Sequence, residues 1–151
     1  MGQRQSHLLQ ERLSHELYIQ ADIDTVYYYV TQPDRWPEWQ PSCLRADTGF
    51  CGSLPAGHRF SEVMNLLGVQ IPMSYRVLNA VFPKEFKAVF SSAALDGTVH
   101  YQLNKQSDGT LLRHTLDYCT DLQLSGLRAR MEQLSTQALG NLKQRLEHPG
   151  D

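Results

Sequence analysis

Cysteine, clustered positive charge and long apolar runs are all scarce in this sequence, and each absence argues against a class of protein. Cys43, Cys51 and Cys119 are odd in number and show no Cys-x-x-Cys spacing. This argues against a disulfide framework and fits a reducing cytoplasm. The six histidines show no zinc-finger spacing beside a cysteine pair, so we expect neither a metal nor another cofactor.

The distribution of charge and hydropathy further limits the classes of binding partner that are expected. The formal net charge is −2, and the lysines and arginines are scattered. No basic stripe is available to neutralise phosphates, so nucleic-acid binding is not expected. No apolar run approaches the roughly 20 residues of a membrane helix, and no signal-peptide core follows Met1. We therefore expect a cytoplasmic protein without integral membrane association.

The first twelve residues differ in character from the rest of the chain. Residues 1–12 are predicted to be a flexible segment with a loose helical lead-in. They begin with the Met-Gly-x-x-x-Ser pattern of N-myristoylation. A single acyl chain with only Arg4 and Arg12 nearby would anchor weakly, so a flexible start is the better interpretation.

A single domain over residues 13–148 accounts for the remainder. The chain of 151 residues is 41% apolar and 20% charged, which is typical of a globular protein that buries a sizeable core. Asp22 is a good helix N-cap, and Pro33 ends the helix that follows it. Asp96-Gly97 and Ser107-Asp108-Gly109 are turn signals between strands. The predicted strands are 13–19, 42–47, 58–67, 69–81, 85–94, 98–104 and 110–122, and the predicted helices are 21–31, a short turn within 34–41, and 125–147.

Alternation and helical spacing predict which side chains face the interior. Strand 69–81 places one set on a single face: Val69, Ile71, Met73, Tyr75, Val77 and Val81. The last strand does so with Leu112, His114, Leu116, Tyr118 and Leu122. The final helix has an apolar stripe of Leu124, Leu127, Met131, Leu134, Ala138, Leu142 and Leu146. More than 20 helical residues span on the order of 30 Å, enough to cross a sheet. The fold class is therefore predicted as α+β, a curved antiparallel sheet of about seven strands around a long C-terminal helix.

Three motifs carry a resemblance to a known superfamily. The first is Ile19-Gln20-Ala21-Asp22-Ile23-Asp24-Thr25-Val26-Tyr27 followed by Asp34-x-Trp36-Pro37-x-Trp39-x-Pro41. The second is Asp108-Gly109-Thr110, and the third is Asn141-Leu142-Lys143 with Glu147. In this order they resemble the START-like or polyketide-cyclase-like (SRPBCC) superfamily, whose fold is the helix grip. The resemblance implies an internal cavity that holds a hydrophobic molecule, and it transfers no catalytic motif.

The candidate ligand-binding residues are side chains that the alternation places inside. They are Met64, Tyr75, Tyr101, His114, Tyr118 and Met131. A neutral imidazole in an apolar cavity could hydrogen-bond a ligand or act as a base, although a structural histidine bonded to a neighbouring strand or helix is the favoured interpretation. Tyrosines combine a large apolar body with one polar tip, which suits a ligand wall. Ser135 and Ala138 leave room on the facing helix.

Three further features have competing interpretations. Glu62 shares a face with Phe60 and Met64, but a buried carboxylate is costly, so a bulge that turns it outward is favoured. Trp36 and Trp39 could gate a cavity, although the resemblance implies that the second packs under the helices. The three consecutive tyrosines of residues 27–29 cannot all face inward, so at least one is exposed, and a homodimer is a further expectation.

Binding or carriage of a small hydrophobic or aromatic molecule, lipid or polyketide-like, is the leading functional hypothesis. The alternative is a cyclase or dehydratase that uses His114 with Tyr118 or Glu62, although no recognised catalytic motif is present. A chaperone-activator type of interaction module has less support, because no extra charged surface stands out. Two or more titratable groups within about 5 Å in the cavity would favour chemistry, and a lone polar group would favour binding.

Overall fold

A computed structural model of the chain describes residues 9–122 and 125–149. Seven strands form one antiparallel sheet in the order β1-β7-β6-β5-β4-β3-β2, and a long helix covers it. The elements are β1 (Leu9–Ile19), α1 (Ile23–Val30), a 3₁₀ helix (Pro33–Glu38), β2 (Cys43–Asp47), β3 (Arg59–Leu66), β4 (Val69–Val81), β5 (Glu85–Ser91), β6 (Leu95–Gln106), β7 (Gly109–Thr120) and α2 (Leu127–Glu147). This is the helix-grip fold that the sequence predicts. No helix among the described residues is long and apolar enough to cross a membrane.

Local signals in the sequence explain where several elements begin and turn. The Asp22 carboxylate caps α1 by accepting a hydrogen bond from the Asp24 backbone N–H at 3.2 Å. A two-residue hairpin joins β6 to β7, and Ser107 adopts a positive φ of 53° there. The predicted cap and the predicted hairpin are both confirmed.

The core lies between the concave face of the sheet and α2. Phe86, Ala88 and Phe90 of β5 are buried at every second position, as the alternation predicts. The stripe of α2 is also confirmed, with Leu127, Met131, Leu134, Ala138 and Leu142 all buried. Leu146 is half-buried, and Leu124 lies outside the described residues.

Two predicted boundaries are wrong. Strand β1 begins at Leu9, so residues 9–12 are part of the sheet and not of a helical lead-in. The acylation motif falls in residues 1–8, outside the described residues. Asp96 and Gly97 lie within β6, and the chain reverses before them, where the Ser92 hydroxyl accepts from the backbone N–H groups of Ala94 and Leu95. A Cβ on Gly97 would collide with the Asp117 carbonyl oxygen, so this glycine permits a close strand approach rather than a turn.

The ends of β4 also depart from simple alternation. Val69 and Val81 are 58% and 51% exposed, although the pattern places both inside. The pairing with β5 shifts register between Val77 and Asn79, which turns Val81 outward and brings the half-buried Ala80 toward the core. Val69 lies at the first position of the strand, directly after the Leu67-Gly68 turn, where the core no longer covers it.

Candidate functional site: a cavity between the sheet and α2

A cavity of about 80 Å³ lies between the concave face of the sheet and α2, partly open to solvent. Met73, Phe90, Leu95 and Val99 form much of the sheet side. On the helix side lie Met131, Leu134, Ser135, Ala138 and Leu139. The small Ser135 and Ala138 leave the space that longer side chains would fill, as the sequence predicts. The site is a mostly apolar concavity with a few polar groups, which is typical of small-molecule sites.

Five of the six candidate ligand-binding residues line this cavity: Met64, Tyr75, Tyr101, His114 and Met131. The sixth, Tyr118, is buried on the inner face of β7 but is not part of the cavity wall. It pairs with Glu11 across β1, and Glu11 forms an ion pair with Arg128 of α2 at 2.6 Å. Alternation predicts the face of Tyr118 correctly, but the cavity does not extend to that end of the sheet.

His114 is 9% exposed, and its ring centroid lies 5.1 Å from that of Tyr101. Burial removes water from the charged imidazolium, and the neighbouring His15 adds repulsion, so the pKa falls from 6.5 to about 4. The predicted direction of this shift is confirmed. The buried Nδ1 has no hydrogen-bond partner among the described residues. The bond to a neighbouring strand or helix that a structural histidine would make is therefore not formed at this nitrogen.

Glu62 points into the interior, and the expectation that a bulge turns it outward is wrong. It is 5% exposed and lines the cavity, because β3 keeps an unbroken register with β4 from Arg59 to Leu66. The irregularity in β2–β3 pairing lies on the β2 strand, between Cys43 and Arg45. Glu62 therefore stays on the same face as Phe60.

Neutral hydrogen bonds, rather than a positive charge, surround the Glu62 carboxyl group. The Tyr75 hydroxyl donates to Oε1 at 2.7 Å, and the Cys43 thiol lies beside the carboxyl. Burial raises the pKa of Glu62, and the two hydrogen bonds only partly offset it. Burying a carboxylate costs several kcal/mol, whereas a tyrosine hydroxyl returns about 1.5–3 and a thiol less. Burial therefore shifts the protonation equilibrium of Glu62 toward the neutral acid.

The two tyrosines of the cavity have different polar partners. Burial raises the pKa of both phenols well above the ordinary range. Tyr75 is hydrogen-bonded to Glu62, whereas the Tyr101 hydroxyl lies beside the side chain of Gln40. Both phenols stay neutral, so each keeps an O–H group that can donate, and that of Tyr75 donates to Glu62.

Trp36 and Trp39 are each 2% exposed and both line the cavity. The Trp36 indole N–H donates to the Val30 carbonyl oxygen at 3.0 Å, which ties the 3₁₀ helix to α1. Trp39 Nε1 is buried and has no partner among the described residues. Both indoles are therefore wall components, and Trp39 carries an unused donor.

Some wall residues are not among the sequence candidates. Gln40 and Ser42 lie in the irregular segment between the 3₁₀ helix and β2, where no periodicity predicts a facing direction. Cys43 begins β2 and reaches Glu62 from the adjacent strand. Only the tertiary pairing of β2 with β3 brings this thiol to the site. Among the described residues, no group of three or more His, Cys, Asp or Glu side chains could hold a metal ion.

Comparison with known proteins identifies the family. A sequence profile described as "Polyketide cyclase / dehydrase and lipid transport" matches residues 10–147. The chain belongs to this family. No curated protein matches the sequence significantly.

Solved structures of other family-like proteins share the fold. A protein of Rhizobium leguminosarum is 16% identical, with 93% of this chain and 96% of that chain covered and a TM-score of 0.72. A START superfamily protein of Mycobacterium smegmatis is 16% identical, with 90% and 94% covered and a TM-score of 0.70. The major latex-like protein of Panax ginseng is 10% identical, with 91% and 98% covered and a TM-score of 0.70. At these identities the similarity establishes the helix-grip fold and no ligand.

Proposed function

We propose that this family member binds or carries a small hydrophobic or aromatic molecule, lipid or polyketide-like, in the cavity between the sheet and α2. The observation that carries the proposal is a cavity in which aromatic and aliphatic walls meet a few inward polar groups. The family description, which includes both lipid transport and cyclase chemistry, agrees with that class of ligand.

The size of the cavity limits what it holds as it stands. A volume of about 80 Å³ is smaller than the roughly 150 Å³ of an engineered cavity that binds benzene. The closed space therefore takes part of a ring or a few methylene groups, and the rest of a larger ligand lies toward the open side. A long lipid requires the cavity to widen.

Fluorescence titration with a naphthalene-type dye tests the binding function. We expect saturable binding with a stoichiometry of about one, and native mass spectrometry of protein from its own host should show the bound molecule. Ala138→Leu places a larger side chain in the cavity and should weaken dye binding. Gln137→Leu adds the same side chain on the exposed side of α2 and should leave binding unchanged. Unsaturable binding, or equal binding by both variants, contradicts the proposal.

Dehydratase chemistry is the second candidate, favoured by one observation. Glu62 and Tyr75 are two titratable groups joined at 2.7 Å on the cavity wall, which meets the criterion of converging groups. The pairing of His114 with Tyr118 does not support it, because Tyr118 lies outside the cavity wall. In this scheme the Glu62 acid protonates a leaving hydroxyl, the neutral His114 imidazole on the same cavity wall takes the α-proton of the ketone, and water departs as the C=C bond forms. The proton then returns from the imidazolium to Glu62 through solvent, which restores both groups.

A β-hydroxy ketone tests this second candidate. Incubation with 4-hydroxy-4-phenylbutan-2-one should yield water and benzylideneacetone. The absorbance of this conjugated product measures the turnover. Glu62→Gln removes the acid while keeping the size of the side chain, so it should abolish the turnover. A rate equal to that of buffer, or full activity in the variant, rejects the enzyme and leaves the binding function standing.

A cytoplasmic location and a homodimer remain predictions. Tyr28 is 51% exposed, as the run of three tyrosines requires, and its ring lies 5.1 Å from that of the 48% exposed Phe82. This apolar pair is the predicted contact between copies. Light scattering after size-exclusion chromatography tests it, and a monomer at high concentration rejects it.

A further inference from the structure

The hydrogen-bonding groups of the cavity define a class of ligand more narrowly than its apolar walls do. Among the described residues, no lysine or arginine lines the cavity, so no cationic side chain there compensates the charge of a bound anion. Glu62 is the only carboxyl group in the wall, and no ion pair involving it occurs among the described residues. A fatty-acid or other carboxylate headgroup would meet a buried carboxyl group and no cation there.

The arrangement around Glu62 leaves one hydrogen bond for a ligand. Oε1 accepts from the Tyr75 hydroxyl at 2.7 Å and thereby serves as the carbonyl-type oxygen. In a neutral carboxyl group the other oxygen carries the proton and donates. The other hydrogen-bond neighbour of this carboxyl group is the Cys43 thiol, and a thiol sulfur is only a weak acceptor for such a proton. An acceptor oxygen of a ligand is a much better partner for that proton.

A second group in the same wall also requires an acceptor. Trp39 Nε1 is buried, has no partner among the described residues, and can only donate. An ammonium ligand could pair with a Glu62 carboxylate but could not accept from this indole. The orphan donor therefore favours an acceptor-bearing ligand over a cationic one.

We propose that Glu62, held in the neutral form by its burial and oriented by Tyr75, donates a hydrogen bond to the oxygen of an uncharged apolar ligand such as an aryl ketone. This inference rests on the proposed binding function and deepens it. The site selects uncharged molecules with a carbonyl or similar acceptor, and it disfavours carboxylate anions.

Four compounds that share one phenyl ring test this selection: toluene, acetophenone, benzoate and benzylamine. Their dissociation constants are measured at neutral pH by displacement of the naphthalene-type dye and by NMR line broadening. We expect acetophenone to bind about fivefold to tenfold more tightly than toluene, the gain of one net hydrogen bond. Benzoate should bind more weakly than toluene, because its charge is not compensated.

Three variants assign the preference to the carboxyl proton. Glu62→Gln keeps a donor N–H and an acceptor for Tyr75, so it should retain the preference for acetophenone. Tyr75→Phe leaves Glu62 in place and should also retain it. In the double variant Glu62→Met with Tyr75→Phe, neither residue can donate, and acetophenone should bind no better than toluene. Toluene binding by the double variant shows that the cavity is still formed.

Each other outcome overturns the inference in a distinguishable way. If wild-type protein binds toluene and acetophenone equally, or the double variant keeps the preference, the selection is wrong while the binding function stands. If benzylamine binds most tightly and Glu62→Gln abolishes that binding, Glu62 acts as a carboxylate for a cation. If none of the compounds displaces the dye, or the dye itself does not bind, both proposals fail together.

Discussion

His114 and Glu62 occupy equivalent positions at opposite sides of the same sheet, and their environments differ in an instructive way. His114 lies on β7 and Glu62 on β3, each one strand from an edge, with β6, β5 and β4 between them. Burial lowers the pKa of the histidine and raises that of the glutamate. The two shifts have opposite signs and the same consequence, because desolvation favours the uncharged form of each group.

The two sides differ in hydrogen bonding. Glu62 accepts from Tyr75 across the β3–β4 pair, whereas the buried Nδ1 of His114 has no partner among the described residues. A hydrogen bond thus orients the Glu62 carboxyl group, whereas His114 has no such partner at Nδ1. A polar group of the ligand or an ordered water is needed near His114 to avoid an unsatisfied atom.

Helix α2 packs over the part of the sheet that carries both His114 and Glu62. Disrupting this packing should have the largest effect on stability. Leu134 is buried against the cavity, so Leu134→Asp places a charge there and should lower the free energy of unfolding by several kcal/mol. Gln137→Asp on the exposed side of the same helix is the control and should change it by less than about 0.5 kcal/mol. Urea unfolding measures both. Equal stability of the two variants would mean that Leu134 does not pack on the sheet.

The histidine side should be sensitive to acid. The pKa of His114 is about 4 in the folded protein, against an ordinary value of 6.5. The unfolded chain therefore binds the proton more tightly than the folded protein does. The stability associated with neutral His114 is fully present above about pH 6.5 and is lost as the pH falls toward 4, a difference of about 3 kcal/mol.

His114→Gln should remove this dependence of the free energy of unfolding on pH. Urea unfolding between pH 7 and 4 measures it. His58, which lies outside the cavity wall, provides the matched control, and His58→Gln should retain the loss. An NMR titration of the His114 ring protons checks the pKa directly. A midpoint at or above 6.5 would place the ring in solvent.

The glutamate side should respond in the opposite sense. Because the pKa of Glu62 is raised above its ordinary 4.5, the folded protein holds the proton more tightly than the unfolded chain. The stability associated with protonated Glu62 is therefore fully present below about pH 4.5 and is lost as the pH rises toward the folded pKa, by at most about 1.4 kcal/mol per pH unit. Glu62→Gln should remove this fall. The same change at the exposed Glu16, which pairs with Arg113, should not. Parallel curves for wild type and Glu62→Gln would show that Glu62 is hydrated.

The smallest effect should come from the hydrogen bond that distinguishes the two sides. Tyr75→Phe removes the donor to Glu62 while leaving the aromatic ring that stacks 4.6 Å from Phe60. We expect a loss of about 1 kcal/mol at neutral pH. Tyr28→Phe removes an exposed hydroxyl and should be neutral. If both variants are equally stable, the Tyr75–Glu62 bond contributes nothing measurable.

The prediction from sequence is accurate where one face of an element is buried and the other is not. Alternation along β6 and β7, and the stripe of α2, identify Tyr101, His114 and Met131 as inward residues, since a strand has a period of two and a helix 3.6. The same reasoning is wrong at Val81, because a register shift inside β4 reverses the facing direction after Val77. Gly97 is mistaken for a turn residue because its actual constraint is a neighbouring strand distant in sequence.

What the sequence by itself determined is the fold class, the order of the elements and the apolar faces that meet, because these follow from local periodicity and turn chemistry. The tertiary structure alone decided that Glu62 faces inward and that Tyr75 and Cys43 reach it. Reasoning from the sequence favours an exposed position for a carboxyl group, since burial of its charge is costly. Pairing between β2, β3 and β4 brings Tyr75 and Cys43 to the carboxyl group and buries it, which raises its pKa. Such pairing joins residues that no local period connects.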